Sequence, residues 1–528
     1  MLFVYLLGLA LFTGGLIAAP VTNNSAPVWT MAAGIAIIAF ARIVSHLEGQ
    51  RPRKPSNTFG DARFANAVGD APQMRELLTG KGIFLGASAT LDKRNPWPML
   101  HYAGPRHVVT VAPSRTGKGV CAIVPNLLTL DNRSLLVIDP KGENAAITAR
   151  RRRAFGPVHL LNPFNEHDMG TARFNPLAHL TIDHPNVVAD VAGLAEALIV
   201  ADGNDTHWSN SARTLVRLIL LHLIATRPGS ASLIDMRRML GQSSERFDSM
   251  IFDMLRSPHG FIANPAAQFE HDSKEVQSII STARTQTAFL DDPAIAHVLS
   301  GSDFAMLDLK ARPTTVFIIL PSRFLVAYAR FFRLLVVAAL DQLQSRPGGV
   351  QTTLILDEFA ALGKLSAIET AFGQAAGFRV QLWPFLQDLN QLKSLYGDRW
   401  ETFLANAGVI QWYTPNDMFT AEYLSRRMGQ RTVATTSTSH SENSRDTSSS
   451  STSHGETGRP LQTATELLGM HAALSVVTLS GLPYPISATR IPYYWTEFHG
   501  WQGNGDELLK QHFSQFIGLY DPNPFHTI

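Results

Sequence analysis

His107-Val108-Val109-Thr110-Val111 runs without a break into Ala112-Pro113-Ser114-Arg115-Thr116-Gly117-Lys118-Gly119, and an apolar segment, residues 120–130, follows at once. The β-branched run Val108 to Val111 suits a buried strand, and the Pro and Gly residues punctuate a turn. Residues 120–130 are apolar enough to form a helix packed on a sheet. Strand, glycine-containing loop and helix, in that order, form the setting of a phosphate-binding loop. Successive loop amides and the helix N-terminus converge on an anion there, and a lysine neutralises the β- and γ-phosphates. Ser114, Arg115, Thr116, Gly117, Lys118, Gly119 and Val120 are therefore the expected nucleotide-binding residues, with Lys118 on the phosphates. Two positions depart from the usual pattern. Ala112 stands in place of the first Gly, and Gly119 in place of the Ser or Thr whose hydroxyl meets Mg2+. On this stretch alone, an ordinary glycine-containing strand-to-helix turn is the competing reading.

Downstream, Thr352-Thr353-Leu354-Ile355-Leu356-Asp357-Glu358 is an apolar strand that ends in two acids. An aspartate at a strand's C-terminal edge holds Mg2+, and the adjacent glutamate orients and deprotonates an attacking water. Asp357 also precedes Phe359-Ala360-Ala361-Leu362 and could simply cap a helix, but capping accounts for one acid and leaves the second unexplained. With the loop upstream, the pair points to ATP with Mg2+ held at Asp357. Gln387 lies just past a strand at residues 379–383, where an amide could sense the γ-phosphate; a surface glutamine on a loop is its alternative. Asp139-Pro140-Lys141-Gly142-Glu143 ends the strand at residues 134–139, on the same expected sheet edge; a plain turn is its alternative.

Apolar runs at 107–112, 134–139, 314–320, 352–357, 379–383, 409–413 and 474–479 alternate with helical stretches. Runs this continuous in Val, Ile and Leu suit a parallel sheet covered on both faces, so the fold class is α/β, doubly wound. Strand signals vanish over residues 182–300, where 187–200, 208–227, 232–240, 245–256 and 273–290 read as helices. An all-α block flanked by strands of one sheet reads as an insertion, which gives a nucleotide-binding domain in two parts, 47–181 and 301–528. Residues 435–458 are nearly all Ser, Thr, His and charged, with little to bury, and read as an exposed flexible loop.

The chain has 528 residues, 45% apolar and 17% charged, and no Asp, Glu, Lys or Arg precedes Arg42. Residues 2–19 and 28–44 are two apolar runs joined by Pro20-Val21-Thr22-Asn23-Asn24-Ser25-Ala26-Pro27. Roughly 20 helical residues cross a ~30 Å hydrocarbon core, so residues 1–46 read as a transmembrane helical hairpin. Arg42 near its end and Arg51, Arg53 and Lys54 beyond it place the remaining chain on the cytoplasmic side of a multi-pass protein. A cleaved signal peptide is the rival, but it would need a positive n-region that is missing here. A net charge of +2 excludes a strongly basic nucleic-acid-coating protein, and the single Cys121 excludes a disulfide framework or a multi-cysteine metal site. Arg150 to Arg153 read as a solvated helix C-terminus, with contact to nucleic acid or lipid headgroups the alternative, and Arg213 and Arg217 as one solvated helix face, with a substrate path the alternative.

Ala112 to Gly119, the Asp139 to Glu143 pentad, Leu356-Asp357-Glu358-Phe359-Ala360 and Gln387 before Gln391-Leu392 together resemble the TraG/VirD-type coupling proteins of bacterial type IV secretion systems. Phe59-Gly60-Asp61-Ala62-Arg63-Phe64 and Pro492-Tyr493-Tyr494 extend the resemblance toward both ends. It implies a RecA-like P-loop NTPase domain with an inserted all-α domain, behind an inner-membrane anchor, working as a homo-oligomeric ring that is often hexameric. It also implies partners: the secretion channel proteins, and DNA–relaxase complexes or effector proteins as cargo. Carried over by position, Lys118 binds phosphate, Asp357 serves Mg2+, Glu358 activates water and Gln387 senses the γ-phosphate. A partner subunit would supply a charge-stabilising arginine, with Arg379 the candidate because it opens the strand beside the site. The loop between the two apolar runs is much shorter than in many such proteins. Two other readings compete: a non-hydrolysing membrane docking receptor for secretion substrates, and a DNA translocase of chromosome-pumping type.

Overall fold

The computed structural model describes residues 56–65, 70, 74, 77–88, 99–201, 206–271, 273–443 and 447–494, with scattered helical positions between 30 and 39. Apart from those positions, the expected hairpin over residues 1–46 lies outside the described residues. Among the described residues no helix is long and apolar enough to cross a membrane. The chain forms two compact units, one of residues 63–428 with 462–528 and one of residues 1–62 with 429–461.

The larger unit is built on an 11-stranded sheet. In chain order its strands are β1 (Ile83–Ser88), β2 (Met99–Tyr102), β3 (His107–Val111), β4 (Ser134–Asp139), β5 (Val158–Leu161), β6 (Thr315–Ile319), β7 (Thr352–Leu356), β8 (Val380–Leu386) and β9 (Ala407–Trp412). β10 (Gln430–Asn443) and β11 (Thr447–Pro460) belong to the smaller unit, and β12 (Leu474–Leu479) and β13 (Ile486–Thr489) complete the sheet. Their order is β2-β1-β13-β12-β9-β3-β8-β7-β4-β6-β5. From β9 to β5 all neighbours are parallel, and β3, β4, β6 and β7 are buried at every residue. The sheet is mixed, though, where a parallel one was expected: β12 runs antiparallel to β9 and to β13, and β1 antiparallel to β13 and β2. A short apolar run such as residues 474–479 carries no information about its partner's direction. The six residues that join β12 to β13 can only make a hairpin, because a parallel crossover needs a dozen or more.

Helices cover this sheet. Val124–Thr129 (α1) follows the loop after β3, and its Leu127 packs with Val108, Val137, Phe385 and Val409 in one core. Glu143–Arg153 (α2) follows β4. Between β5 and β6 the described residues contain helices and no strand, including Val187–Leu198 (α3), His207–Thr226 (α4), Leu233–Leu240, Ser244–Leu255 and Lys274–Gln286. Ala329–Gln344 (α5) lies between β6 and β7 and is buried nearly all round, as its apolar run from Leu334 to Leu340 requires.

The run of four arginines that ends α2 is not uniformly solvated, as the sequence suggested. Arg152 is buried and donates to the carbonyls of Leu130 and Arg133 and to Thr315 Oγ1. One turn of helix aims four successive residues in four directions, so one of them meets the end of the preceding helix.

Pro384 interrupts the β8 ladder. β8 pairs with β7 from Val380 to Pro384 and with β3 only at Phe385 and Leu386. Before the proline, side chains fill the gap toward β3. Leu382 N donates to His107 Nδ1 at 3.0 Å, Trp383 Nε1 to Thr110 Oγ1 at 2.9 Å, and Gln381 Nε2 to the Arg106 carbonyl at 2.7 Å. Burial lowers the His107 pKa to about 4, which keeps the ring neutral and able to accept.

The smaller unit holds the serine- and threonine-rich stretch, which is a long antiparallel hairpin in place of the expected loop. β10 and β11 pair from Gln430↔Pro460 to Asn443↔Thr447. Its threonines suit extended backbone. Residues 56–62 lie along its base: Phe59 N donates to Thr432 Oγ1 and Ser56 N to Glu456.

Candidate functional site

β3, β7 and β8 are parallel, so their C-terminal ends share one rim. The loop from Ala112 to Lys118 starts at that rim, tied down by Ala112 N donating to the Leu386 carbonyl at 2.7 Å. Arg115 has φ +63° and Gly117 φ +83°. Alternation between left- and right-handed residues turns successive amides toward one side, which makes an anion-binding concavity. Arg115 occupies this left-handed position despite its side chain, a strain of the kind found at ligand clamps. Ser114 and Arg115 are exposed and Thr116 partly so, with Thr116 Oγ1 donating to the Pro113 carbonyl at 2.6 Å. Gly119–Ile123 is a single π-helical turn that contains Val120 and leads into α1. A Cβ placed on Gly119 would meet nothing nearer than Asn144 Oδ1 at 4.0 Å.

Lys118 faces the two acids. Its Nζ lies 2.7 Å from Asp357 Oδ1 and 3.4 Å from Glu358 Oε2. Burial would draw the lysine pKa down, but the two carboxylates outweigh it and hold the value above the ordinary one. Successive residues of a strand point to opposite faces, so two adjacent acids reach one ammonium only if the strand breaks between them. It does: Glu358 has φ +59° and its N–H donates to Asp357 Oδ1. Gln387, immediately after β8, donates from Nε2 to Glu358 Oε1 at 2.8 Å. Lys118, Asp357, Glu358 and Gln387 are thus one connected cluster, assembled from three strand ends.

The Asp139 to Glu143 pentad is at the same rim but beneath it. Asp139 accepts from Ala145 N at 2.8 Å and from Asn144 Nδ2, capping α2. Burial, with the charge of Asp357 alongside, pushes its pKa up to about 7. Arg379 is at the wrong end for a role in its own site. It precedes Val380, which pairs with Thr352 at the N-terminal ends of β8 and β7. Eight residue steps at ~3.3 Å put it about 26 Å from Gln387. It is exposed at that far end.

Arg490 gave no signal in the sequence beyond its place two residues before Pro492-Tyr493-Tyr494. It is buried, its Nη1 donates to the Thr116 carbonyl, and its guanidinium lies 4.2 Å from the centroid of the Tyr413 ring.

A phosphate loop and an acid pair facing each other across the rim of a RecA-like α/β sheet define the P-loop nucleotide-binding class. The chain belongs to the type IV secretory system conjugative DNA transfer family, whose model matches residues 68–515. It is 30% identical over 443 residues to a conjugal transfer protein TraG of Escherichia coli, covering 76% of this chain and 68% of that one. It is 29% identical over 429 residues to protein VirD4 of Rhizobium radiobacter, covering 79% of this chain and 60% of that one. Among solved structures, the bacterial conjugative coupling protein TrwB superposes with a TM-score of 0.61 at 18% identity, over 84% of this chain and 95% of that one. TrwB solved in complex with ADP and Mg2+ superposes at 0.59, also at 18% identity, over 82% and 96%.

Proposed function

We propose that this chain is an ATPase of the bacterial inner membrane that receives DNA–protein complexes or effector proteins and couples ATP hydrolysis to their entry into a type IV secretion channel. The observation that carries the reading is the pairing of Lys118 with Asp357 and Glu358, with Gln387 on the same carboxylate. The family membership and the nucleotide held by TrwB support it.

The residues fit a magnesium nucleotide. Mg2+ is commonly held by one or two carboxylates with phosphate oxygens and water, so Asp357 suffices as the protein's contribution. Bound there, the ion would offset phosphate charge and align the phosphate that leaves. The chain's own groups do the rest. Loop amides from Ser114 to Val120 cradle the phosphates, and Lys118 turns from the acids to the anion with its charge intact. Glu358, released on one side, takes the proton of the attacking water. Gln387 holds the other oxygen of Glu358 and reports whether a γ-phosphate is present.

Residues 2–19 and 28–44 supply the membrane anchor in this reading, on the strength of their apolar length with no charge before Arg42. The protein works as a homo-oligomer, a hexameric ring, in which Arg379 reaches a neighbour's nucleotide. The helices over 182–300 receive cargo. Lys118→Ala and Glu358→Gln should each abolish transfer while membrane insertion stays intact. Normal transfer by both variants would defeat the reading, and a lack of ATP hydrolysis by an oligomeric preparation given cargo would favour a docking receptor.

A further inference from the structure

Arg490 follows β13 directly, and Ile491-Pro492-Tyr493-Tyr494 then crosses the start of the helical segment after the loop. The segment touches the loop's backbone twice. Arg490 Nη1 donates to the Thr116 carbonyl, and Tyr493 N donates to the Val120 carbonyl at 3.0 Å. Those two carbonyls belong to residues two before and two after Lys118. The Arg490 guanidinium is itself fixed: it lies over the Tyr413 ring at 4.2 Å, and Tyr413 N donates to the Val111 carbonyl at 2.9 Å. The ring that supports the arginine is therefore anchored on the last residue of the strand that feeds the loop.

The Thr116 carbonyl and the Gly117 N–H belong to one peptide unit, and in a trans peptide they point in opposite directions. Holding the oxygen toward Arg490 turns the Gly117 N–H away from it. Gly117 has φ +83°, so no side chain of its own favours this orientation. A buried guanidinium makes a stronger bond to a carbonyl than a neutral donor does.

We infer that Arg490 is a positioning residue of the nucleotide site: acting from the segment after the last strand, it fixes the Thr116–Gly117 peptide so that the Gly117 amide faces the phosphates. The inference rests on the reading of Ser114 to Val120 as the nucleotide loop. Amides bind phosphate in the ground state and the transition state alike, so loss of their orientation weakens binding and leaves turnover nearly unchanged. That separates Arg490 from Glu358, whose loss would act on turnover.

The test uses the full-length protein and compares wild type, Arg490→Lys and Arg490→Gln by ADP titration, by steady-state ATP hydrolysis and by melting without nucleotide. Arg490→Gln should raise the ADP Kd and the ATP KM about tenfold with kcat within about threefold, and Arg490→Lys, which keeps the charge, should fall between. If Arg490→Gln does not fold, Arg490→Lys carries the same comparison. Unchanged nucleotide affinity in a folded variant overturns the inference, whether or not its melting temperature drops. A fall in kcat at constant KM overturns it too. A wild type that binds no nucleotide overturns the underlying site reading instead, and that result is distinguishable because it appears before any variant is made.

Discussion

Gln387 Nε2 donates to Glu358 Oε1 across 2.8 Å, joining the residue after β8 to the second residue after β7. The other oxygen, Oε2, faces Lys118 Nζ at 3.4 Å. The carboxylate is thus held between a neutral donor and a cation before any substrate arrives. An amide has no proton to accept or give in this role, so Gln387 acts by orienting.

Replacing Gln387 by Ala leaves Glu358 with one partner and a free rotor. We expect kcat for ATP hydrolysis to fall about 10- to 100-fold with KM changed less than about threefold, the pattern of an interaction that matters mainly in the transition state. Steady-state kinetics decides it. Wild-type kcat in Gln387→Ala would mean that the link between β8 and Glu358 has no catalytic weight.

Glu358, the proposed base, also carries backbone strain. Its φ of +59° is a conformation that non-glycine residues other than Asn and Asp rarely adopt. Glu358→Gln and Glu358→Asn should both lose hydrolysis, since neither can accept a proton. They should differ in stability, with Asn the more stable by about 1 kcal/mol because it tolerates this backbone. Denaturant unfolding of the two inactive variants isolates the backbone contribution from the lost charge, and equal stability would argue against strain at this position.

Gly119 offers a gain rather than a loss. The space around it admits a Cβ, with Asn144 Oδ1 the nearest atom at 4.0 Å. Gly119→Ser should fold normally and lower the Mg2+ concentration for half-maximal ATPase about three- to tenfold, by adding a hydroxyl where phosphate loops commonly carry one. An unchanged Mg2+ requirement would leave Asp357 as the protein's sole influence on the ion.

The cluster at the rim was legible because each part sits beside a strong local pattern. β-branched residues precede the Lys118 loop, an apolar strand delivers Asp357 and Glu358, and Gln387 follows another strand. What stayed hidden depends on which segments meet. β1, β2 and β13 are only four to six residues long, too short to show a clear period, and β1 meets β13 across about four hundred positions of sequence (Ala87 opposite Thr489). Arg152 and its neighbours are chemically identical in the sequence, yet helix geometry sends only Arg152 to the carbonyls of Leu130 and Arg133. Arg379 opens the right strand, but the strand's length and direction decide which rim it occupies. Arg490 reaches the loop across 374 positions of sequence, a separation no local reading spans.

A pH effect follows from a second acid pair, remote in sequence from the nucleotide residues. Asp190 on α3 and Asp341 on α5 share a hydrogen bond; burial first, then the Asp341 charge, push the Asp190 pKa up to about 6 from 3.8. His184 Nδ1 lies 3.6 Å from Asp190, and His179 Nε2 3.9 Å from Asp341, so two histidines face the pair. Between pH 3.8 and 6 the folded protein holds the Asp190 proton more tightly than the unfolded chain does. That contribution is fully present below the lower value and is lost as pH rises through the upper one. Above it, two like charges face each other between α3 and α5. Asp190→Asn removes the repulsion and leaves both histidines in place. Its melting temperature should exceed that of wild type by on the order of 2 °C at pH 8, and the gain should shrink toward pH 5. Melting curves of the two proteins across that range give the difference directly, and a constant or opposite trend would place the proton elsewhere.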